Sequence, residues 1–118
     1  YAVMADVPFL CHFERAIEMT DDYPYQEIAN YLRIHRDQIQ NTFKTLSYFD
    51  CMNLVTRANA KALVSVGLHD PICPADTIFA MRNHYQGDIE TTIWQFNRHE
   101  GGGAENHLVQ SKWLESVL

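Results

Sequence analysis

The stretch "RHEGGG", Arg98 to Gly103, places a histidine and a glutamate before three glycines. An imidazole titrates near neutral pH, so His99 suits general-base work. Such a base needs a carboxylate that fixes its tautomer and stabilises the imidazolium formed during reaction. Asp70, at the end of the apolar run "KALVSVGLHD", is the best candidate for that role. The glycines would let the backbone turn sharply after the histidine and keep side chains away from the imidazole. A helix starting just beyond them would disfavour the imidazolium through its dipole, and a nearby Asp70 would oppose that effect. A strand-end aspartate and an unrelated loop histidine remain a second reading of the same residues.

A nucleophile for His99 is harder to find. Ser47, Ser65, Ser111 and Ser116 stand in "TLSYF", "LVSVG", "VQSKW" and "LESVL", none of which is a GxSxG elbow. Cys73 follows Asp70 in the same loop and Cys11 adjoins His12, but neither shows the base and lowered pKa that a thiol nucleophile needs. Both read as packed, inert thiols. "HE" at positions 99 and 100 is not HExxH, because position 103 is glycine, and His99 and His107 do not share a helical face at ligand spacing. No metal or cofactor site is expected.

Asp70 and His99 must be brought together by the elements around them. Tyr1–Val7 reads as a buried strand, and Phe9–Met19 as a helix with Phe9, Phe13, Ala16 and Ile17 on one face. "TDDYP" is turn-like. Ile28, Tyr31, Leu32, Ile39 and Phe43 predict a longer helix over Tyr25–Phe43, followed by a short one over Lys44–Val55. Next come a strand ending at Gly67, the loop "PICPADT", a helix from Pro74 or Ala75 to Tyr85, and a second strand in "TTIWQFNRH". Ala104–Leu118 reads as a helix with Leu108, Val109, Trp113, Leu114 and Val117 facing inward. Two strands joined through a helix normally pair in parallel, so both end on one edge of the sheet. Sites in open α/β sheets form at that edge, which places Asp70 and His99 on one rim.

Bulk properties narrow the class. A length of 118 residues fits one domain, and 47% apolar with 20% charged residues fits an ordinary globular chain. The net charge of −6 argues against nucleic acid as a partner. No apolar run is long enough for a membrane helix, and no secretory signal pattern opens the sequence. The three cysteines, Cys11, Cys51 and Cys73, form no CxxC pair and fit free thiols in a reducing cytoplasm. "YAVMADVPF" begins without Met, and the sequence reads as a piece of something longer. "NYLRIHRDQ" reads as a solvated face with local ion pairs, and the aromatic runs "FLCHFERA" and "LSYFD" as core.

"DVPFLCHFERA", "TLSYFDCMN", "VGLHDPICP" and "HEGGG", in this order, resemble the C-terminal part of the cephalosporin C deacetylase and acetyl xylan esterase family, carbohydrate-esterase family seven. The resemblance covers essentially the whole sequence. It implies the C-terminal half of an α/β-hydrolase, about three parallel strands with flanking helices. It further implies a Ser–Asp–His triad that removes acetyl groups from short acetylated sugars and from cephalosporin C. By motif the triad acid matches Asp70 and the base matches His99. The family's serine elbow and oxyanion donors belong to a segment before Tyr1, so this stretch is expected to be inactive alone. A homo-oligomer is expected from the resemblance as well. Lys61, where the family often has proline, and "CPADT" in place of "CPPST" are departures that touch neither Asp70 nor His99. A different class stays open: a structural or self-associating module whose first strand presents an unpaired edge. A binding module for acetylated sugar is the weakest reading.

Overall fold

Residues 1–118 are all described by the computed structural model. In chain order the elements are β1 (Ala2–Asp6), α1 (Phe13–Met19), α2 (Tyr25–Ile34), α3 (Ile39–Leu46), α4 (Cys51–Leu54), β2 (Lys61–Gly67), α5 (Ala75–His84), β3 (Ile89–Trp94) and α6 (Gly103–Val117). The strands form one sheet in the order β1-β2-β3, parallel throughout, from Ala2 opposite Lys61 to Gly67 opposite Trp94. This is the expected α/β arrangement of three parallel strands with flanking helices.

The central strand explains the layering. Ala62 to Gly67 are all buried, because a middle parallel strand is covered on both faces and so reads as a continuous apolar run. Val64 and Val66 pack with Ile78 and Met81 of α5 and with Cys11 and Cys73. The alternate residues face α6, which is tied to the sheet by polar contacts. Trp113 Nε1 donates to Glu90 at 2.7 Å, Trp94 Nε1 donates to Asn106 at 3.2 Å, and Asn106 and Gln110 each donate to Asp6 Oδ1 at 2.7 Å.

That polar anchoring corrects the expected inward face of α6. Leu108 is 64% exposed, while Asn106 and Trp113, one heptad apart, are buried. Position 108 lies on the opposite side of the helix from position 106. Asn106 holds the buried site because Asp6 and Trp94 satisfy its amide.

Three other boundaries differ from the sequence reading. The helix expected over Tyr25–Phe43 breaks at His35, whose φ of −102° and ψ of 66° lie outside the helical region, and a 3₁₀ turn at Arg36–Gln38 leads into α3. Neither glycine nor proline marks the break, so apolar spacing runs through it. The last strand begins at Ile89 and ends at Trp94, short of "QFNRH", because its partner β2 ends at Gly67. The first helix starts at Phe13 instead of Phe9, after a tight loop in which Val7, Leu10 and His12 all have positive φ.

Asp50 holds that loop in place. Its Oδ1 accepts from the backbone N–H of His12 at 2.8 Å and of Met52 at 2.9 Å, and its Oδ2 accepts from Phe13 N–H at 2.9 Å. One buried carboxylate thus caps α4 and satisfies the start of α1. The expected helix over Lys44–Val55 concealed this role. The structure has turns at 47–49 and restarts the helix after Asp50.

Candidate active site

Beyond the paired ends of β2 and β3 the two segments stay side by side. Leu68 N–H donates to Trp94 O and His69 N–H to Asn97 O, both at 3.1 Å. Asp70 and His99 therefore arrive on one rim, with His99 Nδ1 3.0 Å from Asp70 Oδ2. The other carboxylate oxygen of Asp70 accepts from the N–H groups of Ile72 at 2.8 Å and Cys73 at 2.9 Å. Every oxygen of the buried Asp70 side chain is thus engaged and its orientation is set. A carboxylate oxygen accepts, so Nδ1 is the donor, and the lone pair of Nε2 is left for a reacting group. The His99 side chain is 45% exposed, against 0% for Asp70.

Gly67 makes the crossing of the two segments possible. A Cβ there would meet the Asn97 carbonyl oxygen at 2.8 Å and fall still closer to that of Arg98. Gly67→Ala is expected to cost about 1–3 kcal/mol through the forced backbone shift and to widen the Asp70–His99 separation. Chemical unfolding, with NMR of the imidazole, reads both effects. Gly102, at φ 91°, sits where a Cβ would overlap the indole of Trp94. The glycine stretch thus seats its backbone against Trp94 as well as turning the chain.

Glu100 ties the same loop. Its carboxylate accepts from Asn97 Nδ2 at 2.8 Å and from Arg98 N–H at 3.1 Å. Its own backbone N–H first, and then the Asn97 amide, hold its pKa below the ordinary value of 4.5. With a folded pKa below the unfolded one, its contribution is complete above the unfolded value and is lost as pH falls through the folded value. Glu100→Gln is expected to flatten that acid limb of the stability profile, as read by Tm across the carboxylate titration range. An unchanged limb would mean that the loop does not depend on Glu100. Sequence reading missed this carboxylate and also Thr20, whose Oγ1 donates to Pro71 O at 2.6 Å and pins the loop after Asp70 to the end of α1.

The serine hydroxyls are occupied elsewhere. Ser65 Oγ donates to Asp6, and those of Ser47, Ser111 and Ser116 donate to carbonyls of their own helices or turns. Cys73 is 1% exposed, and burial first and the charge of Asp70 second push its thiol up to about 12. A thiol so strongly protonated is a poor nucleophile. Asp70, Cys73 and His99 do bring a carboxylate oxygen, a sulfur and an imidazole nitrogen within 4.8 Å of one another, a donor set a metal could use. Here both Asp70 oxygens are already committed, and the thiol would have to lose a proton that burial retains. The clefts of the chain lie away from this rim, none of them lined by Asp70 or His99. No helix is long and apolar enough to cross a membrane.

A family model described as "Acetyl xylan esterase (AXE1)" matches residues 1–117. Among solved structures, the acetyl xylan esterase from Paenibacillus sp. R4 is 35% identical with a TM-score of 0.92. Acetyl Xylan Esterase 1 from Thermoanaerobacterium sp. JW/SL YS485 is 30% identical with a TM-score of 0.85. Each match covers 99% of this chain and 38% of the other, so the chain spans less than half the length of either.

Proposed function

This chain belongs to the acetyl xylan esterase family, and from that we infer that Asp70 and His99 are the acid and base of an ester-hydrolysing triad. The observation that carries the reading is the 3.0 Å contact between a fully engaged buried carboxylate and a half-exposed imidazole. Its serine belongs to the part of the domain that this segment does not span. The engagement of all four serine hydroxyls away from His99 supports that division. The segment is thus the C-terminal portion, residues 1–118, of an α/β-hydrolase domain whose remainder is its first partner.

In the assembled site, the serine oxygen attacks the acetyl carbonyl carbon while His99 Nε2 takes its proton. Asp70 steadies the resulting imidazolium through Nδ1. His99 then gives the proton to the departing sugar oxygen, leaving an acyl-enzyme. Water attacks that ester with His99 again as base, acetate departs, and the proton returns to the serine. Acetylated oligosaccharide and the acetyl ester of cephalosporin C are the substrates of this reading. A homo-oligomer in a reducing cytoplasm completes it, in keeping with three free thiols.

The test uses p-nitrophenyl acetate with two proteins. The 118-residue chain alone is expected to give no turnover above buffer. A chimera in which it replaces the matching portion of the Paenibacillus enzyme is expected to be active. Turnover by the chain alone, abolished in His99→Ala, would place the nucleophile within it. A folded but inactive chimera would overturn the assignment of Asp70 and His99.

One observation favours self-association as a second reading. β1 lies at the sheet edge, with Val3 46% and Met4 41% exposed. An open apolar edge invites strand pairing. Light scattering that shows a monomer at every concentration would remove this reading.

A further inference from the structure

We propose that Cys11 and Cys51 form a reversible thiol–disulfide couple, oxidised by a hydroperoxide. Cys11 and Cys73 lie within the main core cluster, and Cys51 packs against it. Cys11 and Cys51, without Cys73, also line a common apolar cavity of about 140 Å³. The backbones on either side are fastened together. Cys51 N–H donates to Leu10 O at 2.8 Å, and His12 N–H donates to Asp50 Oδ1 at 2.8 Å. The residues that bracket Cys11 are therefore held against Cys51 and its neighbour. Cys11 is fixed further by the left-handed conformations of Leu10, φ 58°, and His12, φ 50°. Paired thiols on two fastened segments need little backbone movement to meet, which is the geometric condition for a disulfide.

The two thiols also divide the chemistry between them. Cys11 is 1% exposed, and its sulfur lies 3.5 Å from Phe9 O and 3.6 Å from Pro8 O, as a donor to either. The neighbouring Cys51 thiol, with burial second, raises Cys11 above the ordinary thiol value, and the neighbouring Cys11 thiol lowers Cys51. Of the two, the half-buried Cys51 is therefore the readier thiolate. Thiolate character together with access selects which cysteine reacts with peroxide. The Cys51 thiolate attacks the terminal oxygen of the hydroperoxide, the O–O bond breaks, and the departing alkoxide takes up the proton that Cys51 released, so the products are a sulfenic acid and an alcohol, or water from hydrogen peroxide. Cys11 sulfur then attacks the sulfenic sulfur, and the displaced hydroxide takes the Cys11 proton as water. Overall, two thiols and one hydroperoxide give one disulfide, one alcohol and one water. Each sulfur is oxidised by one electron and the peroxide is reduced by two. Cys73, pushed up to about 12 by burial, takes no part.

The full native chain, treated with hydrogen peroxide, acid-quenched and alkylated, is read by mass spectrometry after proteolysis. Expected is a peptide pair joined through Cys11 and Cys51, lighter by about 2 Da than the two free peptides together, from the loss of two hydrogens. It should be lost on treatment with dithiothreitol, retained in Cys73→Ser and absent in Cys51→Ser. Cys51 is only partly buried, so Cys51→Ser folds more readily than a change at Cys11. Three thiols that all remain alkylatable, a crosslink containing Cys73, or Cys51 that passes to sulfinic acid without a crosslink would each overturn the proposal.

Discussion

His99→Ala, placed in the chimera with the Paenibacillus enzyme, is expected to lower kcat for p-nitrophenyl acetate on the order of 10⁵-fold or more. In the proposed mechanism the imidazole accepts a proton, holds it, and returns it to the leaving group, and no other side chain of this chain is placed to substitute for it. Asp70→Asn is expected to cost on the order of 10⁴-fold. The amide keeps the volume of the carboxylate but puts an NH2 donor group in place of one acceptor oxygen. Two demands then compete for its single oxygen, Nδ1 of His99 and the N–H pair of Ile72 and Cys73. If the oxygen serves the loop, His99 faces an N–H donor and is driven into the wrong tautomer. Both losses should fall on kcat more than on KM, because in the proposed mechanism the pair moves a proton during the reaction and does not hold the ester in the ground state. The double variant is expected to lose little more than His99→Ala, since the acid acts through the base. Additive losses would mean that Asp70 works independently of His99. Circular dichroism separates these effects from unfolding.

Asp50→Ala is expected to destabilise the fold by about 3–5 kcal/mol, from loss of a helix cap and two further N–H groups left without an acceptor. That is a large share of the roughly 5–15 kcal/mol by which domains are stable. Three backbone donors from two segments converge on this side chain, which is 5% exposed, so water cannot readily replace it. Asp50→Asn retains one acceptor oxygen and should fall between wild type and alanine. The midpoint of urea unfolding should drop with an unchanged m-value. A shift below about 1 kcal/mol would mean that the loop from Val7 to His12 is held by packing alone, despite positive φ at three of its residues.

The candidate pair was legible because its placement depends on topology. A strand–helix–strand order puts both strand ends on one rim whatever the details between them, and Asp70 and His99 each follow a strand directly. Several of the groups that hold the surrounding structure were not legible. Glu100 looked like half of a metal motif, and only the turn geometry shows it accepting from Asn97 and Arg98. Asp50 looked like the end of an aromatic run, because two of its three partners lie 38 and 37 residues away in sequence. Leu108 looked like core because hydropathy ranks leucine above asparagine. The buried position went to Asn106 instead, whose amide had partners on β1 and β3. The break at His35 carried no glycine or proline to announce it.

By itself the sequence determined the kinds of element, their order, the parallel sheet they imply, and which carboxylate and imidazole sit at its rim. These follow from local periodicity and from chain connectivity, both of which can be read along one dimension. Only the tertiary structure decided that Asp70 and His99 meet at 3.0 Å and that Gly67 must be bare for their loops to cross. It alone decided that one aspartate caps one helix and holds the start of another, and that Cys11 and Cys51 face a common cavity. Those outcomes depend on which distant backbone donors and side chains share the same space, and no spacing along the chain encodes that.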